Sequence, residues 1–308
     1  MPISRRKLDL PAELEREVFE MAAKVDIGTA LRLALVARRV QTWIEPIIYA
    51  RVVVARPPDA DDAHWQRSLG AVFAARRRAK AKTANAGKPR VLRFIRTVPL
   101  RPASFFARHV KVLHVGNLTE PELITVLSTC TGISELGWWS CNPTAALVPA
   151  LNLTSLRRLS VDQTYDFNLP GMNNHWTTIT HLDITAPAVR TLSHQHELPP
   201  LARFPALTHL SFMCDFYSPL DAWGSILKAC PRLKILLHLS TYMHQCVELL
   251  SNQERSDPRI VVMPPPVSSR TASWVHDVWP VAEEIVRERG VITAAEKKAA
   301  SIVDVLDV

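Results

Sequence analysis

Six short segments of this chain share one pattern: an apolar residue, two variable positions, a leucine, one variable position and a second apolar residue. They read VKVLHV (110–115), ISELGW (133–138), LRRLSV (156–161), ITHLDI (179–184), LTHLSF (207–212) and LKILLH (233–238), the last failing only at His238. Their central leucines stand at 113, 136, 159, 182, 210 and 236, so successive steps are 23, 23, 23, 28 and 26 residues. Alternation within each segment is the period of a strand, whose successive side chains point to opposite faces. A step this short leaves room for one strand and one returning segment per unit, and little else.

Steps of this length lie in the range of leucine-rich repeats, which stack strand upon strand into a solenoid. The returning segments carry helix starts. TEPELITVLSTC (119–130) offers Thr119 as cap with Glu122 three residues on, and SPLDAWGSILKAC (218–230) repeats the device with Ser218, Pro219 and Asp221. Each ends in a cysteine, Cys130 or Cys230, just before the next strand. ILKACPRLKIL (226–236) resembles the cysteine-containing leucine-rich repeats of F-box proteins. The Asn/Cys ladder position is kept at Cys141 but not at Leu118, Thr164, Pro187, Asp215 or Thr241, so irregularity is expected, above all between residues 162 and 206. PRIVVMP (258–264) adds a last strand. SWVHDVWPVAEEIVRER (273–289) and residues 293–307 read as helices that cover the open end of the solenoid, with the apolar Ile235, Leu237 and Leu239 of the last repeat packing under them.

Ahead of the repeats stands LPAELEREVFEMAA (10–23), a helix by spacing: Leu10, Leu14, Val18 and Ala22 fall four apart, and Pro11 suits its first turn. The following GTALRLALVARRVQTWIEPIIY (28–49) is apolar on more than one face. A unit of about 45 residues buries too little of its own surface to sustain a large core, so its surplus apolar surface must meet the repeats or another protein. The residues alone leave both options open.

Residues 8–52 resemble an F-box. The likeness rests on Leu10-Pro11-x-Glu13-Leu14, Val18-Phe19, Leu31-x-Leu33-Ala34-x-Val36, Arg38-Arg39, Trp43, Ile47, Tyr49 and the strand start ARVVV. Departures from the family pattern are Val40 and Ala37, and the absence of a proline in KVDIGTA. RPASFFARHVKVLHVGNL (101–118) and SWVHDVWPVAEEIVRERG (273–290) are similar to segments of the expanded F-box-like families of mushroom-forming fungi. The resemblance implies docking onto a Skp-type adaptor and through it onto a cullin, with Leu10, Pro11, Leu14, Val18, Leu31, Leu33 and Val36 at the adaptor contact.

Strand residues that point away from the solenoid core form its concave face. On that face His114, Trp139, Arg158, Asp162, His181, Asp183, His209 and Met213 make a mixed polar and aromatic row suited to a protein target, where Trp and Arg often carry the binding energy. The same row also reads as an ordinary solvated strand face.

Other chemistry finds less support. His194-Gln-His196 beside His181 and His209 suggests a metal site, yet close ligand pairing and a third partner are missing, and strand and loop histidines are the plainer reading. Asp162 and Asp183 lack a paired base or a glycine-rich phosphate loop, and no cysteine has a histidine at a nucleophile's spacing. No enzyme, metal or cofactor is expected. The net charge of +8 belongs to one segment: thirteen Lys and Arg and no acid lie between Asp62 and Glu120, leaving −5 for the rest. With few aromatics beside it, this stretch reads as a solvated linker before a nucleic-acid binder or import signal.

No apolar run reaches about twenty residues, no secretory signal opens the chain, and five cysteines without a CxxC pair point to reduced thiols. A cytoplasmic or nuclear protein without a membrane span is expected. The expected architecture is α plus α/β: an F-box-like three-helix module (8–55), a basic linker and first cap (56–108), an irregular leucine-rich-repeat solenoid (109–264) and C-terminal capping helices (265–308). The expected function is that of a substrate receptor in a Skp-cullin-F-box type ubiquitin ligase. The alternatives are a non-ligase protein-binding scaffold whose helices only cap the repeats, and a nucleic-acid binder acting through the basic segment.

Overall fold

The computed structural model describes residues 10–55, 90–139, 144–152, 154–162, 176–185, 200–213, 223–240, 256–265 and 278–290, with a few single positions between 244 and 251. Three helices open it: α1 (Ala12–Val25), α2 (Ile27–Leu33) and α3 (Arg38–Tyr49). The extended backbone of Asp26 ends α1, and its carboxylate starts α2 by accepting from the Thr29 N–H at 2.8 Å. The Thr29 and Gly28 amides hold that carboxyl below its usual range. The trio packs around buried Ala23, Ala30, Val40 and Ile44, with Phe19, Leu33, Trp43 and Ile47 closing in at the sides. Glu15 of α1 and Arg39 of α3 form an ion pair at 2.7 Å across it.

One residue after α3 the chain enters β1 (Arg51–Ala55). The elements that follow are α4 (Arg90–Thr97), α5 (Ala103–His109), β2 (Val112–Gly116), α6 (Glu120–Thr129), β3 (Glu135–Trp139), α7 (Val148–Leu151), β4 (Arg158–Asp162), β5 (His181–Thr185) and β6 (His209–Met213). Then come α8 (Trp223–Ala229), β7 (Ile235–Leu239), β8 (Ile260–Met263) and a helix, α9, over residues 278–290. Thr119 and Glu122 form the expected capping box at the start of α6.

All eight strands join one sheet, in chain order and with every neighbour parallel. The register sets Val52, Leu113, Leu136, Leu159, Leu182, Leu210, Leu236 and Ile260 side by side in one buried row. Val54, Val115, Trp138, Val161, Ile184 and Phe212 form a second row on the same face, and Phe106 of α5, Leu123 and Leu127 of α6 and Trp223 of α8 pack onto both. Each buried leucine in such a row contributes on the order of 1.5–3 kcal/mol.

This overturns the expected fold class. The described residues form an α/β fold on a single eight-stranded, all-parallel sheet, and no solenoid is shown. The helical trio is not followed by a separate repeat unit, because β1 leads straight into the sheet as its first strand. Among the described residues the connections do not repeat: a ten-residue helix precedes β3, a four-residue helix precedes β4, and three-residue 3-10 turns (Trp176–Thr178, Leu201–Arg203) directly precede β5 and β6. The recurring motif reports the alternation of parallel strands, which equal register satisfies whatever the returning segments do. The C-terminal helix α9 lies on the other sheet face, where Val278, Trp279 and Ala282 are buried against Ile235, Leu237, Leu239 and Val261, so the three apolar residues of β7 pack under it as expected.

Residues 56–89 of the basic segment and residues 293–307, expected as a second helix, lie outside the described residues. Among the described cations, Arg101 is ion-paired with Glu45 and stands 5.0 Å over the Phe105 ring, and the Lys111 ammonium donates to the Gly132 carbonyl at 3.3 Å. No described helix is long and apolar enough to cross a membrane.

Candidate functional site

Two surfaces follow from the sequence, and they come out differently. On the N-terminal helices the spacing that makes α1 amphipathic turns its core side to α2 and α3 and its other stripe to solvent. Leu10, Leu14, Val18, Met21 and Val25 recur at steps of four and three and are all exposed. Ile27, Leu31, Leu35 and Val36 continue this exposure through α2 and the turn after it. Residues 10–36 thus hold nine of the thirteen large hydrophobics exposed among the described residues. Of the residues named for the adaptor contact, Leu10, Pro11, Leu14, Val18, Leu31 and Val36 are exposed, whereas Leu33 is half-buried in the helical core. Met21, Val25, Ile27 and Leu35 were not anticipated, although the helical spacing of the stripe carries through them.

The second surface is the sheet face opposite the leucine row. Its middle row is Val53, His114, Gly137, Ser160, Asp183, Ser211, Leu237 and Val261. His114 and Trp139 are buried edge-to-face at 5.2 Å, and Gly137 between them makes room: an added Cβ would lie 3.0 Å from each ring. Asp183 is buried and accepts from the Ser211 hydroxyl at 2.6 Å. Arg158 is partly exposed and lies 3.7 Å from Glu135 on the neighbouring strand. Met213 packs beside α9, and the side chain of Asp162 lies outside the described residues.

His181 and His209 meet on adjacent strands as parallel stacked rings, with centroids 4.1 Å apart and planes 4° apart. Trp279 of α9 sets its edge against both, at 5.5 and 5.2 Å, and Glu283 one turn further brings Oε1 to 3.3 Å from His209 Nε2. Burial pushes the His209 pKa down, while Glu283 pulls it up. His194 and His196 lie outside the described residues. Four of the eight residues expected to face a target, His114, Trp139, Asp183 and His209, are therefore buried, and α9 occupies the face beside β5 to β8. Cys130 and Cys230 are buried free thiols, and burial pushes Cys130 up to about 12.

No protein-family model matches the chain, and no curated protein matches it.

Proposed function

We propose that the chain is the substrate-recognition subunit of a Skp-cullin-F-box type ubiquitin ligase, with α1 and α2 as the seat of the Skp-type adaptor. The observation that supports this most is concentration. Residues 10–36, which are α1, α2 and their flanks, hold nine of the thirteen exposed large hydrophobics, while the rest of the described surface holds four. Exposed apolar clusters of this kind mark partner surfaces, and docking returns about 25 cal/mol for each Å² of apolar area removed from water. The F-box resemblance of residues 8–52 names the partner, and its contact residues coincide with the stripe except at Leu33.

In this role the chain performs no bond chemistry. It holds a target close to the transferring enzyme, and proximity and orientation are its contribution. The competing reading, in which the helices only cap the body, requires Leu10, Leu14 and Val18 to be covered by it, and they stand about half exposed at 52%, 49% and 53%. Target recognition is left to the body without named residues, because four of the eight residues of the sheet-face row are buried.

The test is co-purification with the host's Skp-type adaptor, wild type beside Leu10→Ala, Pro11→Ala, Leu14→Ala combined. Capture by wild type and loss in a variant with an unchanged unfolding midpoint is expected. A folded wild type that leaves the adaptor behind would overturn the proposal.

A further inference from the structure

The cluster of His181, His209 and Glu283 is built as a ligand set, although each residue comes from a different element. Candidate ligand atoms of the three lie within 4.8 Å of one another. The position before each histidine is a threonine, and the two threonines act alike. Thr180 Oγ1 lies 2.9 Å from His181 Nδ1 and 3.1 Å from the Arg157 carbonyl oxygen. Thr208 Oγ1 lies 2.8 Å from His209 Nδ1 and 3.1 Å from the Thr180 carbonyl oxygen.

A hydroxyl has one proton to give, and a carbonyl can only accept. Each threonine therefore donates to the carbonyl of the preceding strand and accepts from the imidazole Nδ1–H. In a neutral ring this arrangement leaves the lone pair on Nε2, the atom a metal ion would take. Around His209 the Nε2 atom and a carboxylate oxygen of Glu283 face each other at 3.3 Å, an approach that a proton on Nε2 or, with the ring neutral, a metal cation between them bridges. Their separation exceeds the roughly 2.7–2.9 Å of a charge-assisted hydrogen bond. It matches the edge of about 3.3 Å of a tetrahedron whose legs are zinc–ligand bonds of about 2.0–2.1 Å.

We propose that His181, His209 and Glu283 bind a divalent transition-metal ion of the zinc type, which clips α9 to strands β5 and β6. The half-exposed Glu283 carboxylate gives the ion its entry from solvent, and Trp279 walls the site from the inner side. Three protein ligands leave one position for a water. Binding asks the stacked rings to tilt so that their Nε2 atoms converge. Arg158 and Lys234 are the cations that act on His209, and the carboxylate is what makes the site acceptable to a further positive charge.

The full chain, stripped of metal by chelator dialysis, is titrated with Co²⁺ under visible spectroscopy and with Zn²⁺ in calorimetry. Wild type is expected to take up a single equivalent with the visible bands of tetrahedral Co²⁺, displaced by Zn²⁺. Glu283→Gln, a change at an exposed side chain, should weaken binding by at least about tenfold. His209→Ala should abolish the bands, and His244→Ala, at an exposed histidine away from the cluster, should leave them. Absence of the bands in folded wild type, or their survival in both His209→Ala and Glu283→Gln, would overturn the site. Should His209→Ala fail to fold, the wild-type spectrum and Glu283→Gln decide alone.

Discussion

The helical trio and the sheet draw on the same kinds of apolar residue and dispose of them in opposite ways. In the sheet, the register lines up a leucine from each of six strands, and helices from one side seal the row. In the trio, four residues are fully buried, and the stripe from Leu10 to Val25 faces water. Burial in the sheet is what folding needs. Exposure in the trio costs free energy that no described residue returns by covering the stripe, and under the proposed function the return comes from a partner.

The largest effect that can break this contrast is a truncation exchanged between the two regions. Leu210→Ala in the buried row should lower stability by about 2–5 kcal/mol, read as a fall in the urea midpoint. Leu14→Ala, on the exposed stripe, should stay within about 0.5 kcal/mol. Equal losses at the two positions would show that the stripe is covered by the chain itself.

A smaller effect sharpens the account of the closed sheet face. Gly137→Ala places a Cβ 3.0 Å from the His114 and Trp139 rings, and overpacking there should cost about 1–3 kcal/mol. A neutral outcome would mean that these rings are free to move apart.

How far these elements were legible in the sequence follows the range of the forces that make them. The strands could be read because alternation is local, and six of the eight announce themselves by the same leucine. Even β1 shows as a run of valines after Tyr49, but its pairing with β2 is set by packing and carries no local mark. The repeat spacing does not extend to the connections, since a parallel strand pair constrains the register and not the path that returns to it. The stripe on α1 was visible as helical spacing. The packing of Ile235, Leu237 and Leu239 under the C-terminal helix was visible too, as an apolar run at the last repeat. The reach of that helix to His181 and His209 was not, because Trp279 and Glu283 stand four apart on a helix that nothing in the sequence joins to those histidines.

The smallest effect concerns the edge near β8. The Arg259 guanidinium holds the Asp257 carboxyl below its ordinary range, through hydrogen bonds at 3.0 and 2.7 Å. A depressed native pKa gives stability that is fully present above the ordinary value of about 4 and is lost as pH falls through the native one. Asp257→Asn should therefore cost under about 1 kcal/mol at neutral pH, the pair being partly solvated, and the gap to wild type should close below about pH 4.

The central claim is that the N-terminal stripe exists for a partner, and an alanine scan of adaptor affinity tests it most directly. Single changes at Leu10, Leu14, Val18, Leu31 and Val36 would be measured beside the equally exposed controls Leu100 and Val281, each with its unfolding midpoint. The account predicts that at least two stripe positions lose more than about 1 kcal/mol of binding, while both controls and all midpoints hold. Affinity that is indifferent to the stripe, or lost equally at the controls, would contradict it.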